Sequence, residues 1–99
     1  MNLFILNKDS KTIYLSKEKW LHIVNEHPAL SGKIENLKEA IVNPSAIRKS
    51  MYNENLIFYY KYYKNIKIRA KYLIVIVKYL NGKGFIVTSY YVNKIKNEK

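Results

Sequence analysis

The period of apolar positions changes twice along this chain. In NLFILNKDSKTIYLS, residues 2–16, two runs of strand-forming residues flank a polar step from Lys8 to Lys11. There Asn7, Asp9 and Ser10 favour local side-chain-to-backbone hydrogen bonds, so the pattern predicts a β-hairpin. Ser16 then stands where a helix N-cap is expected, with Glu18 in the first turn near the positive end of the helix dipole. Trp20, Leu21, Ile23 and Val24 give an apolar face at helical spacing. Pro28 ends this helix, because the residue before a proline is pushed out of the α region. Gly32 punctuates. Ile34, Leu37, Ala40 and Ile41 then define a second amphipathic helix, which Asn43–Pro44 stops.

From Ala46 the pattern becomes that of strands. Ile47 to Met51, Leu56 to Tyr63, Arg69 to Tyr79 and Phe85 to Val92 are rich in Ile, Val, Tyr and Phe. They are separated by YNEN, KNIK and NGKG, the last a strong hairpin-turn signal. YLIVIVKYL, residues 72–80, is apolar at both parities apart from Lys78 and should be central. LIFYYKYY alternates, with Leu56, Phe58, Tyr60 and Tyr62 on one side and Ile57, Tyr59, Lys61 and Tyr63 on the other. The predicted order is β-β-α-α-β-β-β-β. It implies one α+β domain over 1–99, with two helices packed on one face of an antiparallel sheet of four or more strands. Its parts are a hairpin (1–15), a helical part (16–43), an antiparallel meander (46–92) and a polar tail (93–99) expected to fray.

Composition narrows the chemistry. The 99 residues include no cysteine, which excludes disulfides and thiolate metal sites. Two histidines without a third ligand argue against zinc. The longest apolar run, Tyr72 to Val77, is far too short for a membrane span, and the first ten residues lack a basic start and a cleavage site. The expectation is a cytoplasmic protein that does not engage a membrane.

The net charge of +11 is uneven. Residues 1–47 carry six lysines and five acids; residues 48–99 carry twelve basic residues and two glutamates. Lys, Asn, Ile and Tyr, whose codons are rich in A and T, make up 50 of the 99 residues. Codon bias therefore accounts for part of the total charge, but it acts on both halves and leaves the asymmetry unexplained. A half-chain with a net charge of +10 should attract polyanions, nucleic acid first.

His22 and His27 are the only side chains here that titrate near neutral pH without a large shift. Five residues along a helix is a rotation of about 140°, so the two cannot point the same way while both are helical. His22 shares a face with Glu26; His27, beside Pro28, can turn elsewhere or simply cap the last carbonyls. Tyrosines interleaved with lysine on an open sheet face can stack bases while cations hold phosphates. On that reading Tyr60, Lys61, Lys64, Arg69 and Lys94 are candidate RNA contacts, although tyrosine also fills half-buried sheet surfaces. Arg48 and Arg69 are the only arginines, each offering a planar fork to phosphate that lysine cannot copy. Thr88, Ser89, Tyr90 and Tyr91 form a hydroxyl cluster on the last strand, a weak signal alone.

LSKEKWLHIVNEHPAL, then a helix ending in EAIVNPSAI, then FYYKYY, YLIVIVK and GFIVTSYY, resembles the phage and bacterial nuclease-like families of the barnase–EndoU–colicin–RelE superfamily. The match covers roughly residues 15–92 in order, and its specificity lies in that order rather than in one signature. The resemblance implies a RelE/barnase-like fold and a ribonuclease toxin cleaving RNA without metal or cofactor. A base would take the 2′-OH proton, the oxygen would attack the adjacent phosphorus, and an acid would protonate the leaving 5′ oxygen. It implies His22 and His27 as helix histidines, Thr88 and Tyr90 as final-strand hydroxyls, and Arg48 and Lys78 as cations. It also implies an acidic antitoxin or immunity protein as partner. Ala29 departs from the pattern, since relatives often carry an acid after His-Pro. The alternative is a non-catalytic RNA-binding or protein-interaction module of the same fold.

Overall fold

The computed structural model describes residues 2–9 and 11–96; Ser10 of the predicted turn and 97–99 of the predicted tail lie outside the described residues. The elements are β1 (Asn2–Lys8), β2 (Lys11–Ser16), α1 (Lys17–Glu26), a 3₁₀ turn at Pro28–Leu30, α2 (Ile34–Val42), β3 (Ala46–Lys49), β4 (Leu56–Tyr62), β5 (Tyr72–Leu80) and β6 (Lys83–Val92). The six strands form one sheet in the order β1-β2-β6-β5-β4-β3, with both helices on one face.

Local chemistry sets the helix ends. The Ser16 hydroxyl accepts from the Lys19 amide at 3.1 Å and caps α1. His27 is the C-cap of α1, its amide donating to the Ile23 carbonyl at 2.8 Å, and Pro28 opens the 3₁₀ turn. Asn43 closes α2 in the same way, through the Glu39 carbonyl at 2.7 Å. At the β5–β6 hairpin Asn81 and Gly82 take φ of 53° and 78°, the left-handed pair that a two-residue turn of this kind requires.

The sheet is mixed rather than wholly antiparallel. β3 to β6 form the predicted meander, but β2 pairs with β6 in parallel, through Thr12–Lys83, Ile13–Gly84 and Tyr14–Phe85. The two helices carry the chain from β2 to the far edge, and the meander returns it beside β2, running the same way. Gly84 permits the junction. A Cβ there would stand 2.8 Å from Tyr79 Cε1 and 2.9 Å from Ile13 Cγ1, both too close.

Some details differ from the expected ones. β3 stops at Lys49 because the Ser50 hydroxyl accepts from the amides of Tyr52 and Asn53, each at 3.2 Å, and so begins a turn. β5 begins at Tyr72, not Arg69, because Tyr63 and Lys71 close a longer loop through an amide-to-carbonyl bond of 2.8 Å. Leu21, expected on the apolar face of α1, is 56% exposed. Trp20, Ile23, Val24 and His27 follow the i, i+3, i+4, i+7 stripe instead, and Leu21 lies off it.

Leu73, Val75 and Val77 of β5 are fully buried against Ile23, Leu37 and Ile41 of the helices. The other β5 parity, Ile74, Ile76 and Lys78, therefore points to the helix-free face. In β6 a bulge pairs Ile76 with Thr88 but Val77 with Ile86, leaving Val87 as the extra residue. The bulge sends Gly84 and Ile86 to the core and Thr88 and Tyr90 to the open face. Without it all four would share one side.

Candidate active site and nucleic-acid interface

Residues directly opposite one another in paired strands share a face, so the register maps the open side of the sheet. One row runs Arg48–Phe58–Ile76–Thr88 and the next Ala46–Tyr60–Ile74–Tyr90. A third holds Leu56, Lys78 and Phe85, with Tyr14 stacked on Phe85 at 5.6 Å between ring centroids. Arg48, Lys78, Thr88 and Tyr90 thus lie on one face, and β3 to β6 carry no acidic residue. They do not converge on a point. At the usual strand spacing Arg48 and Thr88 are three strands, about 14 Å, apart at the backbone. The Arg48 guanidinium also donates to the neighbouring Ile47 carbonyl at 2.9 Å.

The histidines separate. His22 is on the solvent side of α1, its Nε2 3.2 Å from the Glu26 carboxylate with both side chains more than half exposed. His27 continues the sheet-facing stripe. β2 pairs with β6 only as far as Phe85, so beyond that point the outer edge of β6 has no strand partner among the described residues, and α1 packs against β6. There the His27 ring meets that of Tyr90, 5.3 Å between centroids and tilted by 31°. Thr88 lies two residues along the same strand and on the same face. The structure brings His27 and Tyr90 together, places Thr88 on the same face as Tyr90, and leaves His22 outside.

The candidate RNA contacts also divide. Tyr60 faces the open side but is only 2% exposed. Lys94 is exposed and lines a groove on that side. Lys64 and Arg69 are exposed in the β4–β5 loop. Lys61 faces the helical side, where its ammonium donates to the Asn43 carbonyl at 2.9 Å and closes the C-terminus of α2. Its placement is that of a helix cap.

The groove is the feature that sequence reading missed. Phe58, Tyr60, Ile74 and Ile76 form its floor, Tyr90 and Val92 one wall, and Lys94 and Lys96 its rim, around a cavity of about 190 Å³. Strand alternation could have grouped Phe58 with Ile76; nothing local shows that residues 94–96 flank them.

The tyrosines with perturbed acidity are on the helical side. Burial pushes the Tyr59 and Tyr79 phenols up, and they share a hydroxyl–hydroxyl bond of 2.6 Å. Lys11 lies 4.6 Å above the Tyr79 ring. Burial likewise raises Tyr63, whose hydroxyl donates to Glu39 at 2.6 Å. These contacts tie the sheet to the hairpin and to α2. Among the described residues no three His, Asp or Glu side chains gather where they could hold a metal ion. Nor, among them, is any helix long and apolar enough to cross a membrane.

No protein-family model, curated protein or solved structure matches the chain.

Proposed function

We propose that this chain is a metal-independent endoribonuclease of toxin type, working on the open face of its sheet. The observation that carries the reading is the His27–Tyr90 ring contact, which sets an imidazole beside a phenol on a cationic, aromatic surface, with Thr88 two residues along the same strand. His27 takes the proton of a ribose 2′-OH, and the freed oxygen bonds to the adjacent phosphorus. The bond to the 5′ oxygen breaks, and the Tyr90 hydroxyl protonates it, leaving a 2′,3′-cyclic phosphate and a 5′-OH. Thr88 donates to a phosphoryl oxygen as charge builds there. Arg48 and Lys78 hold the RNA strand to either side through its phosphates. The resemblance in sequence order and the placement of these residues on one face are independent supports. An acidic partner protein is the natural silencer of such a surface, because charge complementarity speeds its capture.

One observation favours a second reading, an RNA-binding module without catalysis. Ala29 replaces the acid expected after His-Pro, and the carboxylate contact found here belongs to His22 rather than His27. Purified His27→Ala and His22→Ala variants, assayed for RNA cleavage and thermal melting, decide between them. The nuclease reading expects cleavage to vanish in His27→Ala, with melting unchanged, and to persist in His22→Ala. Cleavage undiminished in His27→Ala refutes the mechanism; a parent protein that binds RNA without cutting it establishes the module.

A further inference from the structure

Tyr60 and Ile74 are only 2% and 4% exposed, yet both face away from the helices and lie outside the main core. Both border the groove described above, which Lys94 and Lys96 rim. Resting on the reading of the open face as an RNA surface, we propose that this groove seats a single nucleotide of the bound RNA strand. Its base lies over Ile76 and against Phe58, and its phosphate is held by Lys94 and Lys96.

Size, charge and position support this occupant. The cavity of about 190 Å³ is smaller than the 300 Å³ or more of sites for drug-sized ligands, so it admits one ring system. Its lower surface is aromatic and branched aliphatic, the kind on which any base can stack. Its charged lining residues, Lys94 and Lys96, are both cations and both exposed. A neutral apolar ligand would draw nothing from two ammonium groups at the rim, and a bare phosphate would leave the aromatic floor unused. Tyr90 is both a wall of the groove and the partner of the His27 ring, so a nucleotide seated here adjoins the proposed reacting phosphate. Residues 94–96 thereby become part of the substrate site.

The test titrates the full chain with 5′-AMP, ribose 5-phosphate and inorganic phosphate, following the Ile76 methyl and the Phe58 and Tyr90 ring signals by NMR. 5′-AMP should shift these signals and bind at least about fivefold more tightly than ribose 5-phosphate, the lower end of what stacking one base contributes. Phe58→Ala should weaken 5′-AMP by about the same factor and leave ribose 5-phosphate unchanged. Lys94→Ala with Lys96→Ala, which touches only exposed charges, should weaken both. Equal binding of the three probes reduces the site to a cation patch and overturns the proposal, as does 5′-AMP binding without a shift at Ile76. Should Phe58→Ala not fold, Phe58→Leu keeps the bulk and removes the ring, and undiminished 5′-AMP binding by it has the same consequence. 5′-AMP has no scissile bond, so its binding is read whether or not the chain cleaves RNA. Cleavage by a protein that leaves the groove empty would sink the groove alone.

Discussion

The rings of His27 and Tyr90 meet 5.3 Å apart where the end of α1 lies against β6. They stand 63 positions apart in the chain. The contact needs a helix that stops at Glu26, a proline that turns the chain, and a bulge that points Tyr90 outward. If the Tyr90 hydroxyl protonates the leaving group, Tyr90→Phe keeps the ring contact and removes only the proton donor. RNA cleavage should then fall by about a hundredfold or more, with melting unchanged. Full activity in Tyr90→Phe would move that role to another group.

On the proposed RNA surface, binding to single-stranded RNA should weaken with salt, since Arg48, Lys78, Lys94 and Lys96 would release counterions from the phosphates assigned to them. Three phosphates, one of them shared by Lys94 and Lys96, give a slope of log K against log salt of about −2.1, at about −0.7 for each phosphate. Replacing Lys94 and Lys96 by alanine should bring it to about −1.4. Fluorescence anisotropy between 50 mM and 300 mM salt measures both slopes, and a slope indifferent to the two substitutions would remove them from the interface.

Gly84→Ala should destabilise the fold by about 1–3 kcal/mol, the usual cost of overpacking a filled core. The added methyl meets Ile13, which is fully buried, and Tyr79, whose hydroxyl is tied to Tyr59. Denaturant unfolding reads the change. A variant as stable as the parent would mean that β2 can shift away from β6 at little cost.

Tyr59 and Tyr79 couple stability to alkaline pH. Both phenols are pushed up in the folded chain, first by burial, so the unfolded chain loses these protons before the folded one does. Their stabilising contribution is complete below about pH 10, the ordinary tyrosine value, and is lost as pH rises above it. Melting temperature should drop between pH 9.5 and 11.5, and more shallowly when both residues are phenylalanine. An equal drop in the double variant would place the effect elsewhere.

If the toxin reading holds, expression of the chain alone should slow bacterial growth, His27→Ala should relieve the effect, and an acidic partner binding the open face should do the same. Unimpaired growth at high levels of soluble protein favours the binding module.

Much of this architecture was legible in the sequence, because the signals that set it act over a few residues. A hydroxyl at Ser16, the sterics of Pro28 and the left-handed pair Asn81–Gly82 each decide the local backbone without help from the rest of the chain. Alternation in β4 likewise sorted its residues into two sides, and apolar residues at both parities marked β5 as an interior strand, without showing which side the helices would cover. The tertiary structure decided the rest. Whether β6 keeps its parity depends on the Val87 bulge, and whether Lys61 reaches RNA or the end of α2 depends on where Asn43 sits. The parallel junction of β2 with β6 rests on a close approach of Ile13 and Tyr79 over Gly84. The opening between Phe58 and the lysines at 94 and 96 exists only once three strands and the segment after β6 are assembled. Each of these outcomes turns on contacts between residues far apart in the chain, and no short-range propensity encodes which distant edge or side chain a segment will meet.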